Sequence, residues 1–214
     1  MQSDIAGIRK TYSQKTLSEK DIEPNPIKQF DKWWQEAIAS DIDEVNAMTL
    51  ATASADGIPS ARIVLLKGFS EKGFVFFTNY DSYKGKQLLE NPKACLVFFW
   101  KELERQVRIT GIVQKTSVQE SDDYFYSRPA GSQIGASVSP QSTAIETREW
   151  LETRYAELEK KVNDSPIQRP DHWGGYVVKP VIMEFWQGRP SRLHDRIEYS
   201  LQEDGNWKIE RLAP

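Results

Sequence analysis

Hydrophobic residues recur along the chain with two different periods, and each period predicts a different kind of element. After Asn25-Pro26, apolar residues follow at spacings of three or four from Ile27 to Ile38, which is typical of one face of an amphipathic helix. Because asparagine caps helix starts and proline suits the first turn, we predict a helix from this dipeptide to about Ser40.

The middle and the end of the chain consist of short runs rich in β-branched and aromatic residues, a composition typical of strands. Asp56-Gly57 and Glu71-Lys72-Gly73 separate the first three runs, and they predict tight turns and therefore antiparallel hairpins. The runs are AMTLATAS, SARIVLLKGF, GFVFFTN, ACLVFFW and RQVRITGIVQ, followed late in the chain by GGYVVKP, VIMEFWQG, RIEYSLQ and NWKIERL.

Helical segments are predicted between these runs, at residues 81–91, 117–127 and 143–163. Residues 128–142 are rich in Gly, Ser and Pro, and we expect a loop there whose length suggests a functional role. The order of elements along the chain, with strands before and after a helical region, predicts a mainly β (α+β) fold. We expect an antiparallel barrel with helices packed outside. We expect residues 1–22 to form a flexible segment or lid, and residues 23–214 to form a single domain.

Charge and composition narrow the class of function. The chain has 28 Lys and Arg against 31 Asp and Glu, a formal charge of -3, which argues against general nucleic-acid binding. The single cysteine, Cys95, excludes an internal disulfide, and we expect it to be a buried structural thiol because its neighbours are apolar. The start of the chain lacks the apolar core of a secretion signal, and no apolar run could span a bilayer. We therefore expect a cytoplasmic protein.

Common catalytic motifs are absent from the sequence. Two histidines and one cysteine provide no metal-ligand cluster, and no P-loop, G-x-G-x-x-G or G-x-S-x-G motif occurs. Basic and polar residues instead cluster at the ends of predicted strands, where a following helix start suits a phosphate. Taken singly, each such residue is better explained as a solvated or ion-paired side chain. The residue pattern alone therefore predicts an antiparallel barrel that binds anions.

Taken together, nine stretches resemble the pyridoxine/pyridoxamine 5′-phosphate oxidase family. They occur in the family's order over nearly the whole chain, and they are RIVLLK (62–67), FFTN (76–79), LERQVRITG (103–111), YFYSRP (124–129), SQIGASVSPQS (132–142), HWGGY (172–176), EFWQG (184–188), RLHDR (192–196) and the terminal WKIERLAP. The resemblance implies an FMN-binding split β-barrel that forms a homodimer, with FMN in each of two clefts at the subunit interface.

The resemblance also implies which residues contact FMN. We assign the FMN phosphate to Arg62, Lys84 and Ser142 and the isoalloxazine edge to Gln106, and we expect Trp186 and Arg196 to come from the partner subunit. The implied FMN contacts are Arg62, Ile63, Val64, Leu65, Leu66, Lys67, Phe77, Thr78, Tyr83, Lys84, Gln106, Gln141, Ser142, Trp186 and Arg196.

Substrate contacts follow from the resemblance in the same way. Lys67, Tyr124, Arg128 and Ser132 match the family's substrate-phosphate residues. Arg192 and His194 match its pyridine-ring residues, and we expect them to be the catalytic pair. The full implied set is Arg9, Lys10, Thr11, Tyr12, Lys67, Tyr124, Arg128, Ser132, Arg192, Leu193 and His194, of which the first four belong to the N-terminal lid. The implied reaction moves a hydride from substrate C4′ to flavin N5, after which O2 reoxidises the flavin and gives H2O2.

Two features of the sequence depart from this simple assignment. The family usually has Ser-Arg-Lys where this chain has Ser82-Tyr83-Lys84, and the lost cation would weaken FMN phosphate binding by about 1–3 kcal/mol. Arg62 and Lys67 are five residues apart, so strict strand alternation sends them to opposite faces, whereas the resemblance assigns both to one site.

Three alternative functions stay open on the sequence. The first is a flavin oxidase of the same fold that acts on another planar substrate, such as a phenazine precursor. The second is a non-catalytic protein that carries FMN or pyridoxal phosphate. The third is a pyridoxal-phosphate enzyme that uses Lys67 as its Schiff base.

Overall fold

The computed structural model describes residues 5–8, 10–162 and 167–214. These ranges contain five α-helices and nine strands, and short 3-10 turns occur at Ile5–Gly7, Lys101–Leu103 and Pro190–Arg192. The helices are α1 (Pro26–Ile38), α2 (Tyr83–Glu90), α3 (Val118–Ser127), α4 (Ala130–Val138) and α5 (Arg148–Val162). The strands are β1 (Ala47–Ala53), β2 (Pro59–Leu65), β3 (Gly68–Ser70), β4 (Gly73–Asn79), β5 (Lys93–Trp100), β6 (Arg105–Lys115), β7 (Trp173–Gln187), β8 (Asp195–Leu201) and β9 (Trp207–Arg211).

The nine strands belong to one sheet in the order β2-β1-β5-β6-β7-β4-β3, with β8 beside β7 and β9 beside β8. The chain also divides into two compact units. Long strands such as β6 and β7 contribute residues to both units. The predicted class, a mainly β antiparallel fold with flanking helices, is confirmed.

The first unit comprises Met1–Thr49, Cys95–Thr110 and Pro180–Pro214. Helix α1 begins where the sequence predicts it, because the Asn25 side chain accepts a hydrogen bond of 2.7 Å from the Ile27 amide. Its buried face packs against strand aromatics, with the Phe30 ring 5.3 Å from Phe98. Strand β8 pairs antiparallel with the C-terminal half of β7 and with β9.

The second unit comprises Leu50–Ala94 and Gly111–Lys179. Strand β4 forms an antiparallel hairpin with β3 and pairs on its other side with the N-terminal half of β7. Phe77 on β4 lies opposite Gly175 on β7. A side chain at Gly175 would clash with Thr116 Oγ1 and would meet the Phe77 ring at 2.8 Å, so glycine leaves room for the aromatic ring beside the strand.

Several predicted boundaries are wrong. Residues 128–142 are not a loop throughout, because α4 occupies nine of them. Buried Ile134 and Val138 give this Gly/Ser-rich segment an apolar stripe, and α4 packs against α5. The helix predicted at 143–163 begins only at Arg148. The runs GGYVVKP and VIMEFWQG form one strand, β7, which continues through Pro180. Cys95, expected to be buried, is only partly buried.

The described residues contain neither a membrane-spanning helix nor a cluster of metal ligands. None of their helices combines the length and the apolar composition that crossing a membrane requires. No group of three or more His, Cys, Asp or Glu in the same ranges has the arrangement of a metal site.

Candidate functional site

A cavity of about 840 Å³ lies within the second unit, and most of the residues predicted to bind FMN or substrate phosphate line it. Its walls contain four basic side chains and no acidic one. The predicted residues among its lining are Arg62, Ile63, Val64, Leu65, Lys67, Phe77, Thr78, Tyr124, Arg128, Ser132, Lys84, Gln141 and Ser142. Helices α2, α3 and α4 and strands β2 and β4 therefore bring together residues that are up to 80 positions apart in the sequence.

Arg62 is held by neutral partners on β1 and β2. Its Nη1 donates to Thr52 Oγ1 at 2.6 Å and to the Leu50 carbonyl at 3.2 Å, and its Nη2 donates to Ser60 Oγ at 2.8 Å. Because desolvation disfavours the charged form, burial lowers the pKa of Arg62, although a guanidinium stays protonated at any ordinary pH. Its positive charge is therefore not neutralised by a described carboxylate.

Lys84 is the most buried cation of the cavity, with 8% of its surface exposed. Its Nζ lies 3.3 Å from Thr78 Oγ1 and 3.2 Å from Gln141 Oε1, both neutral groups. Burial and the nearby Arg62 guanidinium lower the pKa of Lys84 to about 8. A buried ammonium beside a second cation is costly without an anion, so this corner of the cavity fits a phosphate.

Arg128 lies at the C-terminal end of α3 against a wall of parallel aromatic rings. Its guanidinium carbon is 4.6 Å from the centre of the Trp173 ring, and the Phe77 and Tyr124 rings are stacked 4.0 Å apart beside it. The Nη1 atom of Arg128 is buried and has no hydrogen-bond partner among the described residues. Arg128 lines the cavity, and a guanidinium with an unused donor there is suited to bind a second anion.

The predicted conflict between Arg62 and Lys67 disappears in the structure. Strand β2 ends at Leu65 and β3 begins at Gly68, so Lys67 lies between two strands and is not bound by their alternation. Its amide donates to the Val75 carbonyl at 2.8 Å, and its Nζ lies 5.9 Å from the centre of the Tyr124 ring. Both side chains line the same cavity.

A second cavity, of about 460 Å³, lies within the first unit and contains the predicted catalytic pair. Its lining includes Lys10, Thr11, Tyr12, Arg192 and His194 from the predicted set. Ser191 and Arg192 both adopt left-handed backbone angles, with φ of 56° and 62°. Such strain in non-glycine residues is typical of functional sites, where it fixes a side chain in position.

His194 has a defined protonation pattern in this cavity. The Arg189 amide donates to His194 Nδ1 at 3.0 Å, so Nδ1 accepts and the neutral ring carries its hydrogen on Nε2. Burial and the positive charge of Arg192 both lower the pKa of His194. At neutral pH the side chain is therefore an uncharged donor through Nε2.

The N-terminal segment is docked by Glu104, which is 2% exposed. Its Oε2 accepts hydrogen bonds from the amides of Ser13 at 2.8 Å and Gln14 at 3.1 Å, and its Oε1 lies 3.4 Å from Lys10 Nζ. Burial alone would raise the pKa of Glu104, but these backbone and lysine contacts hold it below its ordinary value. This anchor places Tyr12 against Gly188, where a side chain would meet the tyrosine ring at 2.7 Å.

Replacing Glu104 with alanine should release this segment. The loss of a charged acceptor of two amides is worth about 1.5–3 kcal/mol, so tryptic cleavage after Lys10 and Lys15 should become about tenfold faster or more. Because the folded pKa is depressed, docking in the unmodified protein should also weaken as the pH falls below the ordinary glutamate value. Glu102→Ala, a change at an exposed neighbour, is the control. Equal cleavage rates in both variants would contradict the anchoring role.

Some predicted residues lie elsewhere. Arg9 falls outside the described residues. Leu66 is buried, Tyr83 and Leu193 are largely exposed, and none of the three lines a cavity described above. In the first unit, Gln106 is half-buried on β6, and Trp186 packs 4.6 Å from the His194 ring. Arg196 pairs with buried Glu184 through two hydrogen bonds, of 3.1 and 3.0 Å.

Sequence reasoning missed several residues of the first cavity. Trp173 is the most informative, because the motif HWGGY contains it and its ring supports Arg128. The other unassigned lining residues are Asn79, Pro129, Gly135, Ala136 and Ser139. Their small or neutral side chains carry no charge signal, and only the packing of α4 brings the last three to the cavity.

Comparisons with known proteins match the chain along nearly its whole length. Residues 34–161 match the family described as pyridoxamine 5′-phosphate oxidase, and residues 173–214 match the pyridoxine 5′-phosphate oxidase C-terminal dimerisation region. Relatives from Nostoc sp. and Trichormus variabilis, both named pyridoxine/pyridoxamine 5′-phosphate oxidase, are 58% and 56% identical over 214 residues, which is 100% of either chain.

Solved structures support the same fold. PhzG from Burkholderia lata 383, crystallised with tetrahydrophenazine-1-carboxylic acid, aligns with a TM-score of 0.87 at 30% identity over 94% of this chain and 98% of its own. A pyridoxamine 5′-phosphate oxidase-related, FMN-binding protein from Nostoc punctiforme aligns with a TM-score of 0.73 at 17% identity, over 90% of this chain and 100% of its own. The predicted split β-barrel fold is confirmed by these alignments.

Proposed function

This chain belongs to the pyridoxine/pyridoxamine 5′-phosphate oxidase family, and on that premise we propose that it uses FMN to oxidise pyridoxine 5′-phosphate and pyridoxamine 5′-phosphate to pyridoxal 5′-phosphate. Like its full-length relatives of that name, it is an oxidase. The observation that carries the finer proposal is the cavity with four basic side chains and no acidic one. Two phosphate esters, each with nearly two negative charges near neutral pH, would compensate those cations.

The FMN phosphate would bind at the corner formed by Arg62, Lys84 and Ser142. The two cations there have only neutral hydrogen-bond partners in the described chain, and the pKa of Lys84 is already lowered to about 8 by burial and by Arg62. Ser142 has a left-handed backbone, with φ of 70°, which holds its side chain at the cavity wall. An incoming dianion would supply the charge-assisted bonds that this corner lacks.

The substrate phosphate would bind between Lys67, Arg128 and Ser132, beside the Tyr124 ring. The unpartnered Nη1 of Arg128 is the donor that supports this assignment. The Arg128 guanidinium carbon lies 4.6 Å from the centre of the Trp173 ring, and the planar fork of a guanidinium suits paired phosphate oxygens.

When bound, FMN would supply the hydride acceptor, at flavin N5, for oxidation at substrate C4′, with O2 as the final electron acceptor and H2O2 as its product. Arg192 would lie over the pyridine face and hold the ring in the reactive orientation. His194 would donate from Nε2 to the reacting substituent or the phosphate, because its Nδ1 is occupied by the Arg189 amide.

A homodimer is part of the same proposal, supported by the match of residues 173–214 to a dimerisation region. Trp186 and Arg196 lie within this matched region, and we expect them to complete the FMN site of the partner subunit. Arg196 is oriented by its two hydrogen bonds to buried Glu184, and a third nitrogen donates to the Ala213 carbonyl at 2.7 Å. A cytoplasmic location stays a prediction.

The direct test is aerobic turnover of purified protein with both substrates. A yellow protein that consumes O2, releases H2O2 and forms pyridoxal 5′-phosphate from either ester is the expected result. A colourless protein that binds pyridoxal 5′-phosphate without turnover would contradict the oxidase proposal and favour a carrier.

A second candidate is oxidation of a phenazine-type planar substrate, favoured by the alignment with PhzG. The orphaned Arg128 nitrogen and the neighbouring Lys67 favour a phosphorylated substrate instead. Measuring O2 consumption with a reduced phenazine carboxylate separates the two candidate substrates. A carboxylate has less charge than a phosphate dianion and would fill only part of the site at Arg128 and Lys67.

Tyr83 provides a further prediction about cofactor affinity. It stands at the first position of α2 where the family usually has arginine, and 53% of its surface is exposed. Tyr83→Arg should tighten FMN binding about 5- to 100-fold by adding one charge-assisted contact to the phosphate. Tyr126→Arg, at a similarly exposed tyrosine, is the matched control. Unchanged FMN fluorescence titrations would show that position 83 does not reach the phosphate.

A further inference from the structure

Behind Arg62, a buried glutamine organises the hydrogen bonds that hold the guanidinium. Gln87 is 3% exposed and lies on α2, three positions after Lys84. Its Oε1 accepts a hydrogen bond of 2.6 Å from Thr52 Oγ1 and another of 2.6 Å from Ser60 Oγ. These are the same two hydroxyl groups that accept from the Nη1 and Nη2 atoms of Arg62.

The direction of the hydrogen bonds that join Arg62, the two hydroxyl groups and Gln87 is determined. Arg62 can only donate, so Thr52 and Ser60 accept from it and must direct their own protons elsewhere. A single oxygen, Gln87 Oε1, takes both protons. Gln87 Nε2 lies 3.5 Å from the Ile58 carbonyl, which sets the amide so that its oxygen faces the hydroxyl groups.

The lone pairs of the two hydroxyl groups therefore point in fixed directions, and this fixes the orientation of the Arg62 guanidinium. If the two hydroxyl groups were free to rotate, their protons could point towards the guanidinium in place of the lone pairs that accept from it. Arg62 would then have several orientations. Gln87 removes that freedom without adding a negative charge, so the positive charge of Arg62 stays available to a ligand. A glutamate at this position would hold the hydroxyl groups equally well and would neutralise part of that charge.

We propose that Gln87 is a positioning residue for the phosphate group of FMN, acting through Thr52 and Ser60 on Arg62. The inference rests on the proposed function, since it takes FMN as the ligand of this cavity. Lys84 and Gln87 lie on the same buried face of α2, so this one helix supplies one phosphate cation and the support of the other.

The test compares FMN with riboflavin, which has the same ring system and lacks the phosphate. In full-length apoprotein, Gln87→Met should weaken FMN binding about 5- to 30-fold and change riboflavin binding by no more than about twofold. Gln29→Met, at a buried glutamine on α1 that does not line the cavity, is the matched control for loss of a buried amide. It should leave both affinities unchanged.

A double-mutant cycle tests whether Gln87 acts through Arg62. In an Arg62→Met background, the Gln87 change should have no further effect on FMN affinity, because the group that it positions is gone. Additive losses in the cycle would overturn the proposal. If Gln87→Met does not fold, Ser60→Ala removes one of the two bridging hydroxyl groups and should weaken FMN binding about 2- to 10-fold.

The outcomes separate this inference from the proposed function. Wild-type FMN affinity in a folded Gln87→Met protein, or an equal loss for FMN and riboflavin, would overturn the role of Gln87 alone. Unmodified apoprotein that binds neither flavin would overturn the assignment of FMN to the cavity, and the inference with it.

Discussion

Replacing Arg192 with leucine should lower kcat/KM for pyridoxine 5′-phosphate by about 10²- to 10³-fold, while the FMN dissociation constant stays within about twofold of the unmodified value. Arg192 lines the smaller cavity beside His194 and has no carboxylate partner among the described residues. Its guanidinium is therefore available to stack on a flat ring. Without it the substrate ring has no fixed orientation towards the hydride acceptor.

The left-handed backbone at Ser191 and Arg192 supports a positioning function for this side chain. A φ of 62° at an arginine is unfavourable, and such strain persists only where the surrounding structure enforces it. Leucine at the same position would adopt the same backbone and keep much of the apolar surface. The variant therefore removes the planar cation and little else.

The experiment combines steady-state kinetics with an FMN titration of each apoprotein. Arg148→Leu, at an arginine whose side chain is 84% exposed on α5, is the control for loss of one surface cation. Arg192→Lys should recover only part of the rate, because the lysine ammonium has the positive charge but lacks the planar shape of the guanidinium. Equal losses of turnover and of FMN affinity in Arg192→Leu would show that the side chain acts on the cofactor instead.

The fold was predictable wherever local signals agreed with each other. The Asn25-Pro26 start of α1 was correctly predicted because capping and apolar periodicity both indicated it. The segment that contains α4 was predicted to be a loop, because its glycines and serines are poor helix formers. Burial of Ile134 and Val138 outweighs that propensity, and burial of this kind depends on tertiary packing, which no local pattern reveals.

The charged residues of the candidate site were predictable from the sequence, whereas a neutral one was not. Three of the four cations on the cavity wall belong to stretches that the family resemblance had already identified, and the fourth, Lys84, was assigned through the family's Ser-Arg-Lys pattern. Gln87 belongs to none of them, because a neutral amide in a helix resembles an ordinary surface residue. Its importance arises only when α2 packs against β1 and β2 and both hydroxyl groups meet one oxygen. Hydrogen-bond networks between elements are therefore the part of a site that sequence patterns miss.

Lys84→Met should weaken FMN binding about 10- to 100-fold, since a charge-assisted hydrogen bond to a phosphate is lost from a buried position. Riboflavin binding should change little, because the lysine faces no other part of the cofactor in our assignment. Lys86→Met, at an exposed lysine on the same helix, is the matched control. The measurement is quenching of flavin fluorescence on titration with apoprotein.

The lowered pKa of Lys84 also predicts proton uptake when FMN binds. In the apoprotein, burial and the Arg62 guanidinium lower this pKa from 10.5 to about 8. Between those two values the unfolded chain binds more protons than the folded one, so the free energy of unfolding of the apoprotein should rise with pH in that range. The phosphate of FMN favours the ammonium form and should return its pKa towards the ordinary value.

At pH 8.5, binding of FMN should therefore be accompanied by uptake of about half a proton or more, because the flavin phosphate is already a dianion there. Calorimetric titrations in buffers of different ionisation enthalpy measure this quantity directly. Uptake should disappear in Lys84→Met and persist in Lys86→Met. FMN affinity should also fall as the pH rises above about 8 in the unmodified protein, and a flat profile with no proton uptake would show that Lys84 does not meet the phosphate.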